Sequence, residues 1–306
     1  MKNKFVSMIY TLGESLMDVI KMPDGKTVSK PGGSLLNVSV SLGRAGKDVS
    51  LISEIGDDKT GNQLIEFLHI NGINTDYVTI YKNCPTSKAL ARLDKNSKPS
   101  YTFQKAYPAV RSLADPPVFK ESDMLILGSM YSRDSLLEDD LDAYLKAAKR
   151  VGALIVYDPN VRHNHQLKKE ASKKMLLKNL AFADIIKGSD EDFYNIFQLA
   201  SLIEIKNALR NINREALVFI TSGEKGSVAF YKNLVQSFVP DKIKAVSTIG
   251  AGDAYTAGIV NAFLGQVVTG DLKNITGKHI QKMMIEGSQF AALVCQSVDN
   301  YIPVRK

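Results

Sequence analysis

Ser247-Thr248-Ile249-Gly250-Ala251-Gly252-Asp253-Ala254-Tyr255-Thr256-Ala257-Gly258 sets two glycines just ahead of a carboxylate. Glycines at such a point let the backbone turn tightly and leave it bare for a ligand. Beyond Asp253, the residues Tyr255, Ile259, Ala262 and Phe263 recur at helical spacing, which predicts that Gly250 to Gly252 form the mouth of a helix. A helix mouth offers unpaired N–H groups and the positive end of the dipole, a setting for a phosphate or a developing negative charge. Asp253 in that first turn is well placed as an anion and could take a proton from an attacking hydroxyl. An ordinary capped helix after a glycine turn would leave the same pattern.

Outward from this stretch the chain alternates apolar runs with helical patterns. Met124 to Leu127, Leu154 to Tyr157, Ala183 to Ile186 and Ala216 to Thr221 read as strands, followed by alternating runs at Val228–Tyr231 and Leu234–Val239. Asp134 to Arg150 reads as a helix with acidic residues first and basic ones last, matching its dipole. Lys278 to Cys295 reads as a long helix. Towards the N-terminus, Phe5 to Thr11 and Val49 to Ile55 are strands, and Asp58 to Asn71 is an amphipathic helix closed by Gly72. Strand after strand separated by helices predicts an α/β fold, a mostly parallel sheet covered on both faces. Two hairpins interrupt it: Val19 to Lys30, and Thr86 to Leu93 with Ser100 to Lys105 around Asp94-Lys95-Asn96-Ser97-Lys98-Pro99. They predict a small β-sheet inserted at about 14–31 and 86–106, a lid or a decoration on a single domain spanning 1–306.

The 306 residues are enough for a sizeable core, and 44% hydrophobic with 23% charged residues is an ordinary globular balance. No apolar run approaches the length of a membrane span, and the apolar stretch after Lys4 is too short for a signal peptide. Cys84 and Cys295 stand far apart, so a disulfide framework is not expected and a reducing cytoplasm is. The net charge of +7 is dispersed, and its densest group, Arg162 to Lys178, mixes lysines with Met175, Leu176 and Leu177 as a solvated helix face does. That suits an anionic nucleotide better than nucleic acid.

Several other stretches could carry chemistry. Asp18 falls just past the first strand in Gly13-Glu14-Ser15-Leu16-Met17-Asp18, a position from which a carboxylate can accept sugar hydroxyls. In Pro31-Gly32-Gly33-Ser34-Leu35-Leu36-Asn37, the glycines permit close backbone approach, and Asn37 offers a donor and an acceptor. Asp158-Pro159-Asn160-Val161-Arg162 follows a strand end, where open α/β sheets place ligands, and an arginine can grip a phosphate with two nitrogens while Asn160 contacts a hydroxyl. Thr221-Ser222-Gly223-Glu224-Lys225-Gly226 is a glycine turn between strands. Each could also be a plain turn or helix entry. Other chemistries lack their residues. Gly25-Lys26-Thr27 has isoleucine at position 20 where a P-loop needs glycine, and Tyr255 replaces the third glycine of a dinucleotide fingerprint. His163-x-His165 has no partner at metal-ligand spacing and reads as solvated loop.

Taken in order, these motifs resemble the PfkB (ribokinase-like) family of carbohydrate kinases over nearly the whole chain. Gly32-Gly33-x-x-x-Asn37 is similar to the N-terminal signature of that family, and Thr248 to Gly258 to its C-terminal one, with Asp158-Pro159-Asn160-x-Arg162 between. The resemblance implies a Rossmann-like α/β domain with a β-sheet lid, ATP and Mg2+ as phosphoryl donor and metal, and a sugar as acceptor. It casts Asp253 as general base and the N–H groups of Ala251, Gly252 and Asp253, beyond Gly250, as an anion hole. Asp18, Gly32, Gly33 and Asn37 would hold the sugar, and Arg162 would touch both sugar and γ-phosphate. Ser189, Thr221, Gly223, Gly226 and Gln289, with Gly250 and Gly252, would serve the nucleotide, with Asp192 near the metal. Family members often dimerise through the lid, which implies a homodimer here.

The chain also departs from the family pattern. Ser247-Thr248-Ile249 stands where the family commonly has Asp-Thr-Thr, whose aspartate helps build a monovalent-cation site, so the resemblance leaves K+ open. Ser189-Asp190-Glu191-Asp192 replaces the usual Asn-x-x-Glu. Gly128-Ser129-Met130-Tyr131 lacks the glutamine and glutamate of ribose-specific members, while Gly13 to Asp18 and Lys187 to Glu191 look like bacterial fructokinases. The expectation is phosphorylation of fructose to fructose 6-phosphate. Alternatives are 2-keto-3-deoxygluconate, ribose or a nucleoside as acceptor, an already phosphorylated acceptor met by Lys88, Arg92 and Lys105, or a sugar sensor without turnover. Lid residues Ala89, Ala91 and Phe103 would differ among these.

Overall fold

In the parallel strands at the centre of the molecule every residue is buried, because helices cover both faces of the sheet. The computed structural model describes residues 7–21, 27–93, 99–162, 167, 169–266 and 272–304. The first half of the chain contains β1 (Ile9–Leu12), β2 (Leu16–Lys21), β3 (Thr27–Gly32), α1 (Ser34–Arg44), β4 (Val49–Gly56), α2 (Lys59–Ile70), β5 (Ile73–Asn74), β6 (Val78–Tyr81), β7 (Lys88–Leu93), β8 (Pro99–Gln104) and β9 (Met124–Gly128). Then come α3 (Glu138–Val151), β10 (Leu154–Asp158), α4 (Glu170–Phe182), β11 (Ile185–Ser189), α5 (Asp190–Phe197), α6 (Leu202–Ile212) and β12 (Leu217–Thr221). The chain closes with β13 (Ser227–Tyr231), β14 (Leu234–Phe238), α7 (Ala251–Gln266) and α8 (Gly277–Cys295).

The large sheet runs β14-β13-β12-β11-β10-β9-β1-β4-β5, with β6 also on β4. Its strands are parallel except β13 and β14, which fold back as hairpins at one edge. Side chains alternate between two cores, as a period of two requires. Along β9, Met124 and Ile126 join the core under α1, α2, α7 and α8, while Leu125 and Leu127 join the one under α3 to α6. Helix α7 is buried from Asp253 to Val260, since α1, α8 and the sheet surround it. Helix α2 begins where Asp58 accepts a hydrogen bond from the Gly61 N–H at 2.9 Å.

The second sheet, β3-β2-β7-β8, is the expected insert. Two separate hairpins become one sheet because β2 and β7 pair in parallel, Met17 opposite Lys88 and Asp18 opposite Ala89. The expected helix over Asp134 to Arg150 is corrected at its start. Residues Tyr131–Arg133 and Ser135–Leu137 form 3-10 turns, and the α-helix begins at Glu138. Asp134 instead caps a 3-10 turn and pairs with Arg111 at 2.6 Å. The strand expected at Ala183 to Ile186 lies two residues later, at Ile185–Ser189. The turn residues 94–98, the histidine pair at 163 and 165, and the side chains of Ala91 and Arg92 lie outside the described residues. No helix among those described is long and apolar enough to cross a membrane.

Candidate active site

The carboxyl ends of β1, β9 and β10 face the lid sheet across a cleft. From the lid it is lined by Asp18, Lys88, Ala89 and Phe103, and from the body by Gly33, Asn37, Ser129, Asn160, Arg162 and Asp253. Open parallel sheets place ligands at this end, where the strands stop and loops diverge. Ser129 and Asn160, each just beyond a strand, hold positive φ of 58° and 44°. Such backbone strain persists where the surroundings over-determine it, and it gathers at binding sites.

Asp253 sits in the first turn of α7, 6% exposed, with its carboxylate gripped from α1. The Ser34 hydroxyl donates to Oδ1 at 2.7 Å, and the Asn37 amide donates to Oδ2 at 2.8 Å. Burial pushes the Asp253 carboxyl up to about 6, and the two donors work against that rise. Gly250 holds φ of +81°, and a Cβ there would overlap the Asn300 carbonyl oxygen, so the turn admits no other residue without strain. The Ala251 N–H donates to the Thr248 carbonyl at 3.3 Å. The N–H groups of Gly252 and Asp253 stand beside it in the first turn of α7, where backbone donors have no partner within the helix.

Asp18 projects from β2 beneath Gly32 of β3, and a Cβ on Gly32 would overlap its carboxylate. Burial pushes Asp18 up to about 6, opposed by Lys30, the Asn300 amide and Arg162. Glu14 accepts from the Ser34 N–H at 3.2 Å and from the Ser129 hydroxyl, and so ties β1 to β9 at the cleft floor. Arg162 is exposed at the rim, with its Nε donating to Asn160 Oδ1 at 3.2 Å, and Asn160 donates to Ser34 at 3.3 Å. Asp18, Gly32, Gly33, Asn37, Arg162, Gly250 and Asp253 are thus brought to one place from four separate stretches.

Of the expected nucleotide residues Gly250 lines this cleft, whereas Ser189, Thr221, Gly223, Gly226 and Gln289 do not. Ser189 and Thr221 are register neighbours on β11 and β12. Gly223 and Gly226 belong to the turn that joins β12 to β13. Asp192 is buried in a capping box, its Oδ2 accepting from the Ser189 N–H and hydroxyl, each at 2.7 Å. Gln289 is on the exposed face of α8, and no described hydrogen bond joins it to these residues.

Lys187 opens a stretch quoted for its family likeness, but the sequence suggests no role for it. It is 4% exposed, donates to Asp158 Oδ2 at 2.9 Å, and its Nζ lies 3.1 Å from where a Cβ on Gly252 would be. Burial works against its charge, yet Asp158, Asp192 and Asp253 hold its pKa above the ordinary lysine value. A fixed cation therefore lies under the Gly250 to Gly252 turn. Glu14 and Ser34 fell within quoted motifs but were not singled out as ligands. Asn300 carried no sequence signal at all.

The sequence profile described as pfkB family carbohydrate kinase matches residues 6–306. The chain is 28% identical over 255 residues to a fructokinase of Klebsiella pneumoniae, covering 82% of this chain and 83% of that one. It is 29% identical over 271 residues to a probable fructokinase of Arabidopsis thaliana, covering 84% and 82%. Among solved structures, a Vibrio cholerae fructokinase variant bound to fructose, ADP and potassium superposes with a TM-score of 0.85 at 20% identity, over 96% of this chain and 94% of that one. An aminoimidazole riboside kinase from Salmonella enterica gives 0.79 at 17% identity, over 96% and 95%.

Proposed function

Because the chain belongs to the pfkB family of carbohydrate kinases, we propose that it transfers the γ-phosphate of ATP to fructose, giving fructose 6-phosphate. The observation that carries this reading is Asp253: a carboxylate at a helix mouth, held by Ser34 and Asn37, and lining the same cleft as Asp18 and Asn160. The fructokinases among its relatives, and the fructose bound in the Vibrio cholerae structure, support the choice of sugar.

In this mechanism Asp18 and Asn160 accept and donate to sugar hydroxyls and set one of them against Asp253. Ionised above about pH 6, Asp253 takes the hydroxyl proton as the oxygen attacks phosphorus. The N–H groups of Gly252 and Asp253 with Lys187 stabilise the charge on the moving phosphoryl group, and Arg162 closes over it from the rim. Ser189, Thr221, Gly223 and Gly226 carry the nucleotide, and Gln289 is assigned to the adenine side. Mg2+ beside a nucleotide is held by phosphates, water and one or two carboxylates. Asp192, and Asp158 with its buried Oδ1 lacking a partner, are the residues that would hold Mg2+. When bound, Mg2+ neutralises phosphate charge.

We assign the protein to the cytoplasm and propose that two copies pair through the lid. The test of the activity is ADP release with Mg-ATP over ketoses, pentoses, sugar acids, sugar phosphates and ribosides, with Asp253→Asn as control. Fructose should stand out for the wild type alone. A flat panel with matching variant would favour a sugar sensor, and a preferred riboside would move the acceptor to the nucleoside class.

A further inference from the structure

The C-terminal turn after α8 reaches back to the cleft through Asn300, which is 1% exposed. Its Nδ2 donates to Asp18 Oδ2 at 3.2 Å, and its Oδ1 accepts from Lys30 Nζ at 2.9 Å. Lys30 stands opposite Asp18 in the β2–β3 register and also donates to the Val298 carbonyl at 2.7 Å. An ammonium only donates, so the Asn300 amide must turn its oxygen to Lys30 and its nitrogen to Asp18. The Asn300 main chain meanwhile packs against Gly250, so closely that a Cβ there would overlap its carbonyl. One residue therefore touches the lid, the acceptor-side carboxylate and the turn that carries the catalytic aspartate.

We propose that Asn300 is a positioning residue for the acceptor sugar: oriented by Lys30, its amide holds Asp18 in place to receive a sugar hydroxyl, while its main chain seats the Gly250 turn. This rests on the kinase reading above. Asn300 occupies part of Asp18 Oδ2 and leaves Oδ1 uncommitted by that bond. Without the amide, Asp18 would be free to turn toward Lys30, its partner across the strand pair. The charged and titratable groups facing Asp18 are Lys30 from β3, Arg162 from the rim, Glu14 beyond β1 and Tyr301 beside Asn300.

The test compares Asn300→Ala, Asn300→Asp and Lys30→Gln with the wild type, using fructose and ATP separately varied. A hydrogen bond to a charged group predicts that Asn300→Ala raises KM for fructose on the order of tenfold, with KM for ATP unchanged. Asn300→Asp keeps the size and the link to Lys30 but opposes Asp18 with a second carboxylate, so its fructose KM should rise further. Lys30→Gln lets the amide turn over and should give a smaller rise. An unchanged fructose KM, or equal rises for both substrates, overturns the proposal. A second readout needs no turnover: the carboxyl 13C titration of Asp18 in the unliganded protein. Losing the amide donor should move its midpoint to higher pH, and an unmoved midpoint also overturns the proposal. A wild type without fructose turnover would sink the fructokinase reading, yet the Asp18 titration would still decide the role of Asn300.

Discussion

As the proposed base, Asp253 combines two requirements that pull in opposite directions. A base must be ionised at working pH, and a site closed to water disfavours charge. The Ser34 and Asn37 donors reconcile them, leaving the carboxyl at about 6. Asp253→Asn should lower kcat by about 10²–10⁴ with KM for ATP nearly unchanged, as steady-state assays would show. In the wild type, kcat/KM for the acceptor should fall as pH drops through about 6, because the base of the free enzyme becomes protonated. Stability runs the other way. With its pKa raised on folding, Asp253 contributes stability that is present at low pH and lost as pH climbs through about 6. Asn at 253 has no such dependence. Denaturant titrations should therefore show the variant gaining on the wild type between pH 4 and pH 7.5, by up to about 3 kcal/mol; a gap constant with pH would contradict the assigned burial effect.

Among the elements, the return from the lid to the large sheet is held by a buried charge network. Arg111 donates to both oxygens of Glu54 on β4, at 3.2 and 2.6 Å, and to Asp134 at 2.6 Å. Its guanidinium lies 3.9 Å from the Tyr107 ring centre, and the Tyr81 and Tyr131 hydroxyls also donate to Glu54. Tyr107, Tyr131 and Asp134 all line the cleft, so this network sets one of its walls. Arg111→Met should cost about 3–5 kcal/mol, because Glu54 is left charged and buried. Adding Glu54→Gln should recover much of that loss in equilibrium unfolding. If the double variant is no more stable than the single one, the cost lies in packing on Tyr107 rather than in stranded charge.

At the scale of the molecule, the lid is both a wall of the cleft and an exposed sheet whose edge strands are β3 and β8. Open edges invite pairing with another chain, and Val28 on β3 is 49% exposed. Sedimentation velocity should show a dimer, and Val28→Glu should shift it to monomer with the fold intact by circular dichroism. A monomeric wild type at micromolar concentration would remove the lid-pairing proposal.

The layered α/β architecture, the lid strands and the glycine turn before α7 are legible along the chain. Those features rest on local rules: apolar runs of strand length, helical periodicity after Asp253, and glycines where the backbone turns. Two hairpins were legible, but their union through β2 and β7 was not, because parallel pairing joins segments about 70 residues apart. The start of α3 was misread because Asp134 looks like any helix-opening acid, and only its long-range partner Arg111 reveals its place. Only the tertiary structure decided that Asn300 meets Asp18, that Lys187 lies beneath Gly252, and that Ala251 donates its N–H elsewhere. Local propensity acts along a few residues of chain, whereas a site is made where distant segments are forced together by burying their apolar faces.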